Sequence, residues 1–506
     1  MSLSLPPTQT NYLLFSDVHL GADLVQHARP WTVARLREVL RVDRELSAML
    51  DHYRQSAEPG RPWKLIIAGD LVDFMGMSIA PRLDSALVTP LNEEEHKHGL
   101  GSTRDHAEHK MRAVAERHDL VFRKLAEFVA EGHSLVLIRG NHDVDFYWET
   151  ARDAFTVALL DRAGDAVREP AQRAAFEKRV DFRHWFYYVE GLLYVEHGHQ
   201  YDETCAYRNV LAPLSPADPK RIAYSFSDIL MRFVVRPTPG MLMSGHDGKT
   251  MVHYVRMAFA MGLRGALTLG YRYLLAAFAM MRSWREHLRV YEHDAGQHEH
   301  DRKLGELGER VRVSLDKLRA LAALSATPVT LGLHSILRSL FLDLAGAITA
   351  STLLIGVLLW TQLIPIAYVA PLAVAIGAGI YVWMKSSRVI DQCAALRDGA
   401  LRVVKLFPAR FVVMGHTHAP VMEALGADST YVNLGGWAVD DVDVPEGEKA
   451  PEAPRTHLVI RHENGEPRAE LRRWCMKDGP SLVHASASLA DSGIRLLPST
   501  DDERAA

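Results

Sequence analysis

The chain has 506 residues, of which 48% are apolar and 24% charged, and its formal net charge is −4. That length allows two or three ordinary domains or one large domain with insertions, and the composition is that of a globular protein. The slightly acidic balance gives no support to a nuclease or other nucleic-acid binder, which would want a basic groove. The three scattered cysteines, Cys205, Cys393 and Cys475, form no CxxC pair; they indicate neither a disulfide framework nor a zinc knuckle and fit a reducing compartment.

The chain opens MSLSLPPTQTNYLLFSDVHLG, with neither a basic leader nor a long apolar run, so no secretory signal is expected there. A repeated unit then begins: a short apolar run ends in a polar cluster, and a helix-prone segment follows. Tyr12–Phe15 ends in Ser16-Asp17-Val18-His19, and Leu65–Ala68 in Gly69-Asp70. Leu135–Ile138 ends in Arg139-Gly140-Asn141-His142-Asp143, Leu193–Val195 in Glu196-His197-Gly198-His199, and, much later, Phe411–Met414 in Gly415-His416-Thr417-His418. Continuous apolar runs are expected of strands buried on both faces. Their alternation with helical patterns such as Met111–Glu131 argues for an α/β layered fold, in which ligands gather beyond the carboxyl ends of the strands.

Histidine is abundant, at 25 residues. His96, His98, His106, His109 and His118, and again His293, His298 and His300, lie in charged, helix-prone sequence and read as solvated helix faces or loops. Asp143 and Asp145 read as loop and capping residues. His199 reads either as a neighbour of the site or as a surface residue.

Between His199 and Gly415 lies an insertion of mostly helical pattern. Met251–Met281 is apolar but carries Arg256, Arg264 and Arg272, whose spacing implies one basic face on a core helix pair or on an interfacial helix. Trp284–Ala323 is charged and helix-prone. From Leu344 to Met384 there is no Asp, Glu, Lys, Arg or His. That is enough for two membrane crossings of about 20 residues each, with Gln362 and Pro365 at the turn. Arg338 before the stretch and Lys385 and Arg388 after it put both ends on the cytoplasmic side, in an inner or plasma membrane. Gly346, Gly356, Gly377 and Gly379 would suit close helix packing in lipid. A β-rich segment runs to about Trp474, and the Ser-, Ala- and Asp-rich end reads as a flexible tail.

Taken together, the five clusters carry chemistry. Carboxylate, imidazole and amide oxygen suit divalent Mn, Fe or Zn. Each motif alone is weak; five in order, each at a strand end, are strong. Asp17-Val18-His19, Gly69-Asp70-Leu71-Val72-Asp73, Gly140-Asn141-His142-Asp143, His197-Gly198 and Gly415-His416-Thr417-His418 resemble the motifs of the calcineurin-like metallophosphoesterase family. The resemblance implies a four-layered α/β/β/α sandwich and two divalent metal ions, Mn first. It implies that Asp17, His19 and His418 hold one ion, that Asn141, His197 and His416 hold the other, and that Asp70 bridges them. Two cations about 3.5–4 Å apart need such a shared anion and clamp the attacking and leaving oxygens. By the same resemblance His142 faces the leaving group or a phosphate oxygen and Asp73 orients it.

Within the family, Gly415-His416-Thr417-His418-Ala419-Pro420, the later Asn433-x-Gly435-x-Trp437 and the helical insertion look most like the branch that contains UDP-2,3-diacylglucosamine pyrophosphohydrolase. The expected organisation is a core in two parts, 1–205 and 401–475, a helical insertion at 206–400 with a membrane hairpin near 341–385, and a tail at 476–506. The expected function is phosphoester or pyrophosphate hydrolysis at the membrane on a lipid-linked substrate. The alternatives are a phosphatase for a soluble phosphomonoester, nucleotide or phosphoprotein, and a non-catalytic membrane receptor or scaffold. The last would be expected to have lost a ligand, and all seven are present.

Overall fold

The structure is a computed structural model and describes residues 10–25, 33–81, 87–238, 261–289, 295–387, 391–426, 428–438, 454–463 and 465–485. The five apolar runs are all strands. Asn11–Phe15 (β1), Trp63–Ala68 (β2), Ser134–Ile138 (β3) and Val180–Arg183 (β4) run parallel and adjacent. Phe186–Val189 (β5), Gly191–Glu196 (β6), Ala409–Met414 (β7), Val421–Ala424 (β8) and Thr430–Asn433 (β9) form a second sheet in the order β5-β6-β7-β9-β8, with β6, β7 and β9 parallel. Thr456–Glu463 (β10), Glu466–Cys475 (β11) and Gly479–Ala485 (β12) extend the first sheet antiparallel from β1. β12 therefore carries the sheet into the segment expected to be a tail; residues 486–506 lie outside the described residues.

Strand side chains alternate between two faces, and both faces here are apolar. Leu13, Phe15, Leu65, Ile67, Leu135 and Leu137 pack with the helices Val33–Gln55 (α1), Arg104–Arg117 (α3), Asp119–Ala130 (α4) and Glu149–Ala163 (α5); Glu93–His98 (α2) precedes α3. Their neighbours Tyr12, Leu14, Ile66, Ala68, Val136 and Ile138 meet Leu193, Val195, Phe411, Val413 and Val432 of the second sheet. The outer face of that sheet is covered by Ala295–Val311 (α9), Leu315–Ala322 (α10) and Gln392–Leu406 (α14), through Leu304, Leu318, Leu321, Leu396 and Val403. The layers are thus helix, sheet, sheet, helix. Part of the insertion completes the fourth layer rather than standing outside the core.

The remaining helices are Pro170–Glu177 (α6), Phe226–Leu230 (α7), Gly262–Arg289 (α8), Leu333–Ser339 (α11), Leu342–Thr361 (α12) and Ile366–Ser387 (α13). α12 and α13 pack on each other as an antiparallel-order pair joined at Gln362. α12 has the length and composition to cross a membrane, and α13 contains the shorter apolar run Ala367–Val382. A Cβ at Gly346, Gly356, Gly377 or Gly379 would meet open space, so these glycines do not serve close contact within the pair.

The histidine-rich segments meet the expectation in part: His96 and His298 are exposed on their helices. His106, His118 and His300 are buried. His106 Nδ1 lies 3.4 Å from Glu95, His300 Nδ1 accepts from the Leu211 amide, and His118 donates from Nδ1 to Asp43 while Nε2 accepts from the Gly21 amide. His118 also splits the expected Met111–Glu131 helix into α3 and α4. Arg264 and Arg272 do not share a face: Arg264 is exposed, whereas Arg272 is half-buried and donates to Thr238; Arg256 and His293 lie outside the described residues.

Candidate metal centre

Because β1, β2, β3, β6 and β7 are parallel within their sheets, their carboxyl ends bring the polar clusters to one edge of the sandwich. The loops are cross-tied there. The amides of Asp17, Val18 and His19 donate to the carbonyls of Gly69 and Asp70, the Gly415 amide donates to His197 O, and the His416 amide donates to Asp17 Oδ2 at 3.1 Å.

The ligand-type atoms converge. His418 Nε2 is 3.3 Å from both Asp17 Oδ1 and His19 Nε2, and His19 Nε2 is 3.9 Å from Asp70 Oδ2. His197 Nε2 is 3.2 Å from that same Asp70 oxygen and 3.1 Å from Asn141 Oδ1. Asp17, His19 and His418 form one group able to hold a cation, and Asp17, Asp70 and His197 form another. Asp70 Oδ2 therefore lies between the two sets. His416 is placed differently: its ring is 5.3 Å from that of His197, while its Nε2 faces Asp202 Oδ2 at 3.1 Å.

Backbone strain marks the same residues. Asp17, His19, Asp70, His416 and His418 all adopt positive φ, between 54° and 73°. Non-glycine residues rarely do so, and each costs of order 1–3 kcal/mol unless its surroundings impose it. Gly69 is at φ +92°, and a Cβ there would sit 2.4 Å from His197 Nδ1; one at Gly140 would sit 2.1 Å from Asp70 Oδ1. Gly69→Ala is therefore expected to displace the His197 ring and to weaken metal binding at least about tenfold, the usual cost of disturbing a ligand's support. Metal titration of the purified variant, followed calorimetrically, checks this; unchanged affinity would show that the Gly69 loop can yield.

The donor set fits divalent cations. Asp17 Oδ1 is buried without a hydrogen-bond partner. Burial opposes a charge on His197, yet the carboxylates of Asp70 and Asp17 raise its pKa to about 9. Asp70 itself is held well below its ordinary value: burial opposes this, and His197 and His142 outweigh burial. This cluster of anions and imidazoles attracts positive charge.

His142 Nδ1 lies 2.8 Å from Asp73 Oδ1, and the His142 amide donates to Asp70 Oδ1 at 2.9 Å. Asp143 clamps the loop instead of capping a helix, accepting from the amides of Leu71 and Gly140. His199 is buried, which removes the surface alternative.

Sequence reasoning missed Asp202, which meets His416 and also accepts from Gln392 Nε2 at 2.8 Å. The signal was its place in His197-Gly198-His199-Gln200-Tyr201-Asp202, where the short 3₁₀ turn His199–Tyr201 folds the chain back toward the strand end. It also missed Arg236 of the insertion, half-buried near Asp73 with a side-chain hydrogen bond to Met77 O and its Nε buried and unpartnered.

Residues 10–248 match the model of the family described as calcineurin-like phosphoesterase, a span that holds Asp17, His19, Asp70, Asn141 and His197 and stops before His416 and His418. No curated protein matches the chain significantly. That similarity over residues 10–248, together with cation-binding groups at the strand ends, indicates that the chain is a metal-dependent phosphoesterase.

Proposed function

We propose that the chain is a membrane-attached, dinuclear-metal phosphoesterase that cleaves a phosphoester or pyrophosphate bond of a lipid-linked substrate of the UDP-diacylglucosamine type. The single observation behind the dinuclear reading is Asp70 Oδ2, 3.9 Å from His19 and 3.2 Å from His197, between two donor sets. In this reading Asp17, His19 and His418 hold one ion, Asn141, His197 and His416 the other, and Asp70 both. The resemblance points to Mn, with Fe or Zn as alternatives; the carboxylate and amide oxygens suit Mn and the imidazoles suit Fe and Zn. When bound, two such ions neutralise phosphate charge and acidify a water toward neutral pH.

The protein's own residues supply the rest. Asn141 contributes an uncharged oxygen, which keeps the centre positive toward phosphate. Asp202 fixes the ring of His416, as carboxylates do for ligating histidines. Asp73 orients His142 by taking the Nδ1 hydrogen bond and, against burial and together with Asp70, favours the doubly protonated ring, whose Nε2–H is then the proton available to the leaving oxygen. The core reads as two parts, 1–205 and 401–475, around the 206–400 insertion.

Attachment is supported by the pair α12–α13, whose apolar side chains face outward: Leu353 is 65% and Trp360 86% exposed. A surface of that kind needs a covering, and the basic flanks Arg338, Lys385 and Arg388 put the catalytic part on the cytoplasmic side. The full chain is expected to stay in the membrane pellet after an alkaline carbonate wash, since two helices bury far more apolar surface than one acyl anchor. Recovery of the full chain in the supernatant without detergent would remove this part of the reading. A substrate panel with and without Mn, spanning phosphomonoesters, nucleotides and a UDP-diacylglucosamine lipid, tests the chemistry. The lipid is expected to give the highest kcat/KM; preference for a soluble phosphomonoester would contradict it.

A further inference from the structure

α8 has two different faces. One carries Leu269, Ala276 and Met280, which are buried with Phe226, Ile229, Val234, Val329 and Ile336 in a satellite core of the insertion. The other carries Leu263, Leu267, Tyr271, Leu274 and Phe278 at spacings of four, four, three and four, within about 80° of one another on an ideal helix, with Leu263 78% and Phe278 70% exposed. The same stripe continues in the last turns as Arg282, Arg285 and Arg289, all exposed. The face is thus apolar for four turns and cationic thereafter.

Two observations identify what covers it. α8 packs on α11, and α11 packs on α12, the helix able to span a membrane. An apolar stripe flanked by exposed arginines, Arg264 at its start and Arg285 and Arg289 at its end, is also the pattern of helices that lie in a bilayer interface, where apolar side chains enter the acyl boundary and arginines meet lipid phosphates. A second copy of the chain would be poorly matched, since arginines at both ends would bring like charges together whichever way the two helices ran. We infer that the outer face of α8 beds in the surface of an anionic lipid bilayer, as a second attachment beside the α12–α13 hairpin. This rests on the membrane reading of that hairpin.

α8 also packs against the segment Met231–Val235, which leads directly into Arg236 beside Asp73. The bedded helix would therefore hold the insertion's wall of the metal centre at a fixed height above the headgroups.

The test uses the full chain reconstituted into vesicles of phosphatidylcholine with a minority of phosphatidylglycerol. An environment-sensitive fluorophore is attached at Leu274→Cys on α8, Leu353→Cys on α12 or Glu309→Cys on α9, each with Cys393→Ser and Cys475→Ser; Cys205 is buried. Two quenchers are used: a lipid spin-labelled high on its acyl chain, because interfacial helices sit about 5–10 Å into the headgroup and acyl boundary, and a lipid labelled near the chain end, because residue 353 is at the middle of a helix that spans about 30 Å. The label at 274 is expected to lose more than about half its emission to the shallow quencher, the label at 353 to the deep one, and the label at 309 none to either. Quenching at 353 with a water-exposed label at 274 overturns the inference and leaves the hairpin reading intact. A blue-shifted but unquenched label at 274 overturns it in favour of a second copy. Quenching at 274 alone removes the hairpin and with it the second attachment, leaving α8 as the only contact detected, and quenching at neither position removes both.

Discussion

Asp70→Asn is expected to reduce bound metal from two ions per chain to one or none and to lower kcat by more than about 10³-fold, since outer-shell changes alone cost about 10–100-fold. Asp70 Oδ2 lies near both donor sets, within 3.9 Å of His19 and 3.2 Å of His197. Asn keeps the shape and one acceptor for the His142 amide, but it removes the negative charge that offsets repulsion between two cations. The fold should tolerate the change. His197 Nδ1 donates to Ala68 O, so its Nε2 can accept from an amide at position 70. Asp143, whose pKa burial and the charge of Asp70 push up to about 7, would be relieved of a like-charged neighbour. The metal-free variant keeps its fold but gives up the attraction of Asp70 for His197 and His142, so it should melt somewhat below the metal-free parent at neutral pH. Metal analysis of the purified variant decides the point, and two ions with near-normal turnover would remove Asp70 from the bridge.

The second large effect is at His142. His142→Ala is expected to retain both metals and to lose roughly 10²–10⁴ in kcat on an alkyl phosphate, the usual worth of a positioned acid. An activated leaving group such as nitrophenolate needs no proton and should lose far less. The contrast separates roles: equal losses for poor and good leaving groups would indicate that the side chain, 2.8 Å from Asp73, serves binding or structure instead.

Both effects concern residues legible in the sequence, for a physical reason. Parallel strands buried on both faces read as unbroken apolar runs, so β1, β2, β3, β6 and β7 stood out, and each places its polar cluster immediately after the strand. The layered α/β form followed from the same alternation. What was not legible depends on partners far away in the chain. Asp202 matters through His416, 214 positions later. His118 looks solvated among charges, but Asp43 and Gly21 reach it from another helix and another loop, and their hydrogen bonds satisfy its buried ring. β12 escaped notice because it is an edge strand whose Leu482 and Val483 are adjacent and both exposed, so no alternation of buried and solvated positions marks it. The eight-residue spacing of the arginines misled because Arg264 and Arg272 are 800° apart on an ideal helix, about 80° from alignment at 3.6 residues per turn.

Metal removal and return tests the dinuclear account most directly. The full chain is stripped with a chelator and titrated with Mn while hydrolysis of bis-nitrophenyl phosphate and bound metal are followed together. The stripped protein should be inactive, and activity should return only as the second ion per chain binds. Full activity with one ion, or turnover that survives chelation with no metal bound, would contradict a centre built on Asp17, His19, Asp70, Asn141, His197, His416 and His418.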